Sequence, residues 1–499
     1  MEIERLRNKV FFAKMILFGG NQGESIRFDY RRIFERRTIV EEQTNQYLAQ
    51  APIGKLMMKF AVPCVLSLLV SSLYNIVDQV FIGWGVGYLG NGATNVVFPI
   101  TIIALALALM IGDGCAAFLS ICQGKQDAES AHRSVGNAVM LMILVSIVLV
   151  AVFYGGRDAI LTVFGATEAN VSYAREYFNI IVIGIPFFVF TNGMNSIIRA
   201  DGNPKFAMIS TVIGCIINLI LDPVAIFLLH WGVGGAALAT IVGQIVSAIL
   251  AVYYLFHTKS FRLHKASFRL HGALLARVLP LGISSLLTQL SIVVIMGVMN
   301  NTLIKYGAQS AYGADIPMTV MGIVMKVFQI VIAFVVGIAA GCQPIVGYNY
   351  GAGHLHRVKQ IYRTMLVAEV IIGVVATGCF ELFPVQIIRL FGSEGDLYNQ
   401  FAALSFRIYL SMMILCCVQK STSIFLQALG KPVMSMTLSL LRDFILSVPL
   451  ILVLPGMFGL GVEGPLYSGP IADIISFLVA VVMMVRVFGK LNSQMERGE

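Results

Sequence analysis

Apolar residues run along this chain in blocks too continuous for the one-sided stripe of a soluble helix, and each block stops at a short turn rich in Gly, Asn, Lys or Arg. A helix rising ~1.5 Å per residue needs roughly 20 residues to cross a ~30 Å hydrocarbon layer. Twelve blocks meet that length, near 56–84, 93–121, 135–155, 176–199, 205–229, 234–257, 276–303, 310–340, 362–385, 399–428, 433–455 and 464–489. The pattern predicts an all-α integral membrane protein with twelve transmembrane helices.

Landmarks in the first six blocks return in the last six. The turn R-A-D-G-N-P (Arg199–Pro204) comes back as Q-A-L-G-K-P (Gln427–Pro432), Phe164-Gly165 as Phe391-Gly392, and Gly124 as Gly351, while G-V-G-G from Gly232 is echoed by G-L-G-V from Gly459. Spacings agree to about one residue, the mark of an internal repeat. Two pseudo-symmetric six-helix bundles follow: an N-lobe over 53–257 and a C-lobe over 276–490. A cytoplasmic linker over 258–275 joins them, a basic cytoplasmic tail over 1–52 precedes them and a short cytoplasmic tail over 491–499 follows. Each half starts on the same side, so the repeats are parallel about an axis along the membrane normal. Such halves suit rocking about a central site that opens to one side at a time.

Composition agrees: 58% hydrophobic, 12% charged and mean hydropathy +0.83 exclude a soluble domain. The charges also orient the chain. With both ends inside, the inner loops hold thirteen Lys and Arg, among them Lys125, Arg199, Lys259, Arg277, Arg357 and Lys431, whereas the outer loops hold Arg157, Arg175, Lys305 and Arg389. A multi-pass protein of the cell membrane with both termini cytoplasmic is expected. The net charge of +9 is explained by this topology and the basic tail, so no nucleic-acid partner is implied. Eight cysteines lie in or at the ends of spans without Cys-x-x-Cys spacing, which argues against a disulfide framework or a structural metal. Seven histidines fall in loops or at helix ends, where a solvated interfacial role is expected. In the first fifty residues, R-R-I-F-E-R-R (Arg31–Arg37) and the apolar run Val10–Phe18, broken by Lys14, read as a tail partly disordered or lying on anionic lipid rather than a signal peptide.

The candidate chemistry lies where polar groups interrupt apolar runs. In I-I-N-L-I-L-D-P (Ile216–Pro223), Asn218 and Asp222 are one helical turn apart and share a face, and Pro223 removes a backbone donor beside the acid. An ionised carboxylate in hydrocarbon costs several kcal/mol unless it meets a cation, a proton or water. At ~1.5 Å per residue, Asp222, Thr240 on the next helix and Asp78 on the first reach similar depths below the outer surface. Oxygen ligands of this kind suit a hard cation such as Na⁺, and the same carboxylates can take a proton. The plainer reading is that Asp78 and Asp222 hydrogen-bond inside the bundle and stabilise packing. In the second half, Arg442 and Asp473 reach similar depth, open to a structural ion pair or a transport role. Gln289 and the group Met296, Met299, Met318, Met321 and Met325 either line the seam or fill the core.

Taken together, the first-span N-I-V-D-Q-V-F-I-G, the turn R-A-D-G-N-P-K, N-L-I-L-D-P and G-A-A-L-A-T make residues 53–490 resemble the multidrug and toxic compound extrusion (MATE) family. The resemblance implies a pair of bundles around a central cleft and antiport of organic cations and drugs against Na⁺ or H⁺, a transport activity of the kind behind antibiotic resistance. It makes Asp78, Asn218, Asp222 and Thr240 the N-lobe cation site, with Tyr74, Tyr177 and Asn195 as neighbours in the pocket; Gln289 and Met296 stay pocket candidates from the residue pattern alone. The depth estimate puts Asn195 too near the cytoplasm for direct ligation. Some family members carry acids in the seventh and tenth helices; here S-L-L-T-Q-L-S and I-L-C-C-V-Q-K have none, which argues against cation coupling in the C-lobe. The expected function is therefore a secondary-active multidrug efflux antiporter. It would use no cofactor beyond the coupling ion and would meet drugs and membrane lipid as partners, with a monomer as the expected state. A lipid-linked oligosaccharide flippase of the wider superfamily is the alternative, and would need a cationic cleft built from residues such as Lys326, Arg407, Lys420 and Arg442. A membrane-embedded enzyme would want D-D-x-x-D or H-x-x-x-H sets, which the sequence lacks.

Overall fold

A computed structural model describes residues 47–389, 395–457 and 459–497. Most of the expected tail, with Val10–Phe18 and Arg31–Arg37, and the Phe391-Gly392 landmark lie outside the described residues. The long helices are α1 (Ile53–Gly85), α2 (Tyr88–Gly124), α3 (Ala128–Val163), α4 (Val171–Ala200), α5 (Pro204–Pro223) and α6 (Gly232–Leu255), then α7 (Gly272–Gly307), α8 (Asp315–Gly351) and α9 (Leu355–Leu382). After these come α10 in two segments (Asp396–Tyr409 and Met413–Ala428), α11 beginning as Pro432–Leu440, and α12 (Gly464–Arg497). Among the described residues eleven helices are long and apolar enough to cross a membrane, and α10 counted as one span makes twelve. Exposed faces such as Ile143, Ile147 and Val148 on α3, or Ile371, Val374 and Val375 on α9, are apolar, as lipid requires.

Two boundaries differ from the expected ones. The span expected over 399–428 is bent by 48° between its two segments. There Ser411 donates its hydroxyl to the Ile408 carbonyl at 2.9 Å, and its N–H turns to the same oxygen at 3.3 Å, so side chain and backbone compete for one acceptor and the α ladder breaks. At the start, residues 47–52 are not a free tail. Leu48 is buried, Asn349 donates to its carbonyl at 3.2 Å, and Arg357 donates to the Ala51 carbonyl, which docks this stretch on the C-lobe.

The linker is pinned to the N-lobe. Asp201, just past α4, is fully buried and accepts from the Tyr254 hydroxyl at 2.6 Å, the Lys259 N–H at 2.8 Å, the Ser260 N–H at 2.7 Å and the Ser260 hydroxyl. Burial pushes this carboxyl above the usual carboxylate range, and the four donors, which favour its charged form, oppose that push. Farther on, the Asn137 amide donates to the Ser267 and Arg269 carbonyls and its oxygen accepts from the His271 N–H at 2.7 Å.

The repeat is visible in the packing. Gly202 and Gly430, in the two related turns, both take the left-handed conformation (φ +82° and +68°), and a Pro opens the helix after each. The related pair Gly124 and Gly351 touch each other across the seam, where a Cβ on Gly351 would stand 3.2 Å from the Gly124 Cα. Between the lobes α2 packs on α7 and α1 on α8. Backbones meet closely there: a Cβ on Gly282 would stand 1.8 Å from the Met110 carbonyl oxygen, and one on Gly341 would stand 2.6 Å from the Ala61 Cα. The seam is thus shut in the half that carries the basic loops. Toward the other end Gly297 on α7 and Gly322 on α8 have free space beside them.

The N-lobe has one apolar core, but the C-lobe core divides in two. One cluster gathers Cys342, Met365, Phe425, Leu438 and Ala480, and the other Val335, Ala376, Cys417, Ile451 and Leu466. On the last four helices a buried charged residue falls between the two: Glu369 on α9, Lys420 on α10, Arg442 and Asp443 on α11, Asp473 on α12. A charged layer therefore crosses the C-lobe at mid-height.

Candidate cation-coupling site

Helices α5 and α6 are clamped before they carry any site residue. Ser210 and Ser247 exchange hydroxyl-to-carbonyl bonds of 3.2 and 2.9 Å, and Gly214 and Gly243 face each other so closely that a Cβ on Gly243 would stand 2.5 Å from the Gly214 carbonyl oxygen. One turn farther along, this contact lets the Asn218 amide reach across to Thr240, donating to its hydroxyl oxygen at 3.1 Å. The same amide donates to Asp222 Oδ1 at 3.1 Å along its own helix. Asn218 is 3% exposed and Asp222 not at all.

Beyond Asp222 the α-helix ends at Pro223 and widens into a π-helical turn over Val224–Leu228, closed by the Leu229 N–H on the Val224 carbonyl at 3.0 Å. Proline cannot supply the α-type bond to Leu219, and π-turns concentrate at working sites. On α1, Asp78 turns its carboxyl to within hydrogen-bonding range of the Asp222 carboxyl. Tyr74 and Tyr177 lie in the electrostatic neighbourhood of both acids. Three acceptors in this group, Asp78 Oδ1, Asp222 Oδ2 and Asn218 Oδ1, are buried with no protein donor.

So the structure brings Asp78, Asn218, Asp222 and Thr240 into one cluster, with Tyr74 and Tyr177 beside it. Asn195 is elsewhere: its amide donates to the Thr211 hydroxyl at 3.0 Å, nearer the basic end of the bundle, as its depth in the sequence suggests. Gln289 and Met296 are half-buried on α7, in the other lobe. Met299 and Met321 are buried in the C-lobe core and Met325 packs against it, so these methionines fill the core and do not line the seam.

The two buried cations of the C-lobe layer are paired. Lys420 meets Asp443 at 2.7 Å, and Arg442 meets Asp443 and Asp473, each at 3.0 Å. Two polar residues emerge that the residue pattern alone did not single out as site candidates. Asp113 on α2 accepts from Ser196 at 2.6 Å within its lobe and from Ser285 on α7 at 2.8 Å across the seam, with Arg199 3.7 Å away. Glu369 is wholly buried in α9, and neither of its carboxyl oxygens has a donor. The signal for Glu369 was present in the sequence as a single acid inside L-V-A-E-V-I-I. For Asp113 the sequence shows an acid in G-D-G-C-A-A beside a basic loop, which reads as solvated or paired; its partner across the seam, Ser285, is 172 residues away.

Comparison with known proteins agrees with this architecture. The MatE family model matches residues 63–224 and 280–453, about two thirds of the chain and one segment in each lobe. The chain is 24% identical over 459 residues to the multidrug export protein MepA of Staphylococcus haemolyticus, covering 89% of this chain and 96% of that one. To MepA of Staphylococcus aureus (strain MSSA476) it is 22% identical over 461 residues, covering 91% and 98%. Among solved structures, a MATE protein crystallised in complex with MaL6 superposes with a TM-score of 0.83 at 23% identity, over 90% of this chain and 99% of that one. An outward-facing multidrug resistance MATE transporter of the MOP superfamily gives 0.83 at 23%, over 89% and 98%.

Proposed function

The chain belongs to the MatE family, and from that membership we propose that it is a secondary-active exporter of cationic amphipathic compounds, driven by Na⁺ or H⁺. The observation that carries the proposal is the set of three donorless acceptors on Asp78, Asp222 and Asn218, buried in one lobe. Two facing carboxyls that, among the described residues, form no ion pair with a Lys or Arg need a proton or a cation, and the amide and hydroxyl oxygens beside them complete an oxygen-rich site. The curated relatives are named as multidrug export proteins, which supports drugs as the substrate class.

In the proposed cycle the basic loops face the cytoplasm. The backbones meet closely on that side, and the cycle has the coupling ion enter the buried Asp78–Asp222 site from the other. Binding of the coupling ion there neutralises the acids and favours repacking of α1, which displaces the cationic substrate; release of the ion to the cytoplasm restores the charged site for the next substrate. Exchange follows because ion and substrate favour different states of one site, differential affinity being the only lever on the equilibrium. The flippase alternative is less well supported. Of the cleft cations it needs, Lys420 and Arg442 are buried in ion pairs and Arg407 sits 3.9 Å from Glu381, which leaves Lys326, whose ammonium donates to Gln79 on α1 at 3.4 Å.

The test is ethidium efflux from vesicles with Na⁺ and pH gradients imposed separately, on the parent and on Asp78→Asn and Asp222→Asn. One gradient should drive efflux, and either substitution should abolish it in a folded protein. Unchanged coupled efflux in both variants would refute the site assignment. If neither gradient moves the dye in the parent, multidrug export is wrong and lipid-linked substrates come next.

A further inference from the structure

The charged layer of the C-lobe is balanced without Glu369. Lys420 and Arg442 offset Asp443 and Asp473, and the contacts are closed: 2.7 Å for Lys420–Asp443, 3.0 Å for each Arg442 carboxylate pair. Asp201, the other fully buried acid outside the candidate site among the described residues, has its four donors. Glu369 has no protein donor at either oxygen and is 0% exposed. Its ionisable neighbours are thiols, Cys342 on α8 and Cys417 on α10. Beyond them in the same layer stand Lys420, Arg442, Asp443 and Asp473, and Cys417 lies three residues before Lys420, hence on the same helix face. A carboxylate with no donor and no counter-charge in a membrane bundle is tolerated only in its neutral form.

We propose that Glu369 is a proton-binding site of the C-lobe, loaded in this conformation and emptied when the lobes open toward the basic face. Resting on the ion-coupled reading above, it adds a second site on α9 to a lobe whose seventh helix carries no acid and whose tenth carries only Asp396, at its first residue. Emptying breaks the Glu369 O–H bond, passes the proton to water entering on the basic face, and leaves a carboxylate beside Cys417, three residues before Lys420 on α10. The new charge pulls on the Lys420 ammonium that Asp443 now holds at 2.7 Å, which links the proton to the position of α9 against α10 and α11. A buried neutral glutamate serving only as packing would do none of this, and glutamine would replace it without consequence.

Two measurements on the full chain in lipid vesicles decide the matter. Infrared difference spectra between acidic and alkaline buffer should show a protonated-carboxyl absorption that is lost with rising pH in the parent and in Asp222→Asn, and that is absent from Glu369→Gln. In coupled transport, Glu369→Gln should move one proton fewer per substrate than the parent, while Glu369→Asp restores the parental count. Parental spectra and proton counts in Glu369→Gln would overturn the proposal. Should Glu369→Gln fail to fold, Glu369→Asp serves in its place: a displaced carboxyl band supports the site, and a band identical to the parent's overturns it. The infrared arm does not depend on transport, so a parent that moves no dye under either gradient refutes the export reading without deciding the fate of Glu369.

Discussion

The bond from Ser285 to Asp113 joins the lobes at the closed end, and removing its hydroxyl with Ser285→Ala should open that end. The contact is 2.8 Å long with a carboxylate acceptor, and hydrogen bonds to charged groups contribute about 1.5–3 kcal/mol. Asp113 keeps its Ser196 bond at 2.6 Å and Arg199 at 3.7 Å in the variant, so its carboxylate is not orphaned. The loss therefore falls on closure of the seam and not on the folding of the N-lobe. Gln343, which donates to the Asp113 carbonyl oxygen at 3.4 Å, still bridges the lobes, and the low end of the range applies. About 1.4 kcal/mol is a tenfold change in an equilibrium constant, so the open population should rise roughly tenfold. Spin labels at Glu129 and His356, both exposed on the basic face, report this distance in a Cys379→Ser background that removes the exposed thiol. The parent should give a dominant short distance and Ser285→Ala a grown long one, with Ser285→Thr close to the parent. An unchanged distribution in Ser285→Ala, or a drop in melting temperature without any change in distance, would refute the latch.

Gly282→Ala should have the opposite origin and a similar readout: its methyl meets the Met110 carbonyl oxygen, overpacking of this kind costs about 1–3 kcal/mol, and the same label pair should lengthen while the melting temperature of each lobe holds. Asp127 caps α3 by accepting from the Ser130 N–H at 3.1 Å, and bonding to Ser130 holds its carboxyl below the usual carboxylate range. Because the folded value is depressed, the cap's contribution is full above the unfolded value of about 3.9 and is lost as pH falls through the folded one. Asp127→Ala should thus lower stability by about 1 kcal/mol at neutral pH and by nothing measurable in strong acid, as thermal unfolding across pH will show.

The spans were legible because hydrocarbon imposes a length and a composition on each, and no tertiary contact is needed to read them. The break in α10 was not, since it turns on one hydroxyl, Ser411, competing for a carbonyl inside an otherwise apolar run. Asn218 and Asp222 announced themselves by sharing a helix face, and Thr240 by its depth on the next helix. Asp113 and Asp201 could not, because their partners sit 172 and 53 to 59 residues away and look like ordinary loop or helix-end residues. The methionines were ambiguous for a chemical reason: an unbranched thioether suits a seam and a core equally well.

The π-helical turns carry one more consequence. There is one after Asp222, at Val224–Leu228, and another in the second half at Leu441–Ser447. A π-turn houses one residue more per hydrogen-bonded ring than an α-turn. A helix can take up a single inserted residue in such a turn, so that the stretch beyond keeps its direction and facing instead of rotating by the roughly 100° that an extra α-helical residue would impose. Two copies of an ancestral half can in this way drift apart in register while keeping their ends in place, each presenting a different set of side chains to its own interior. One half has come to place unpaired acids there, and the other a balanced set of ion pairs.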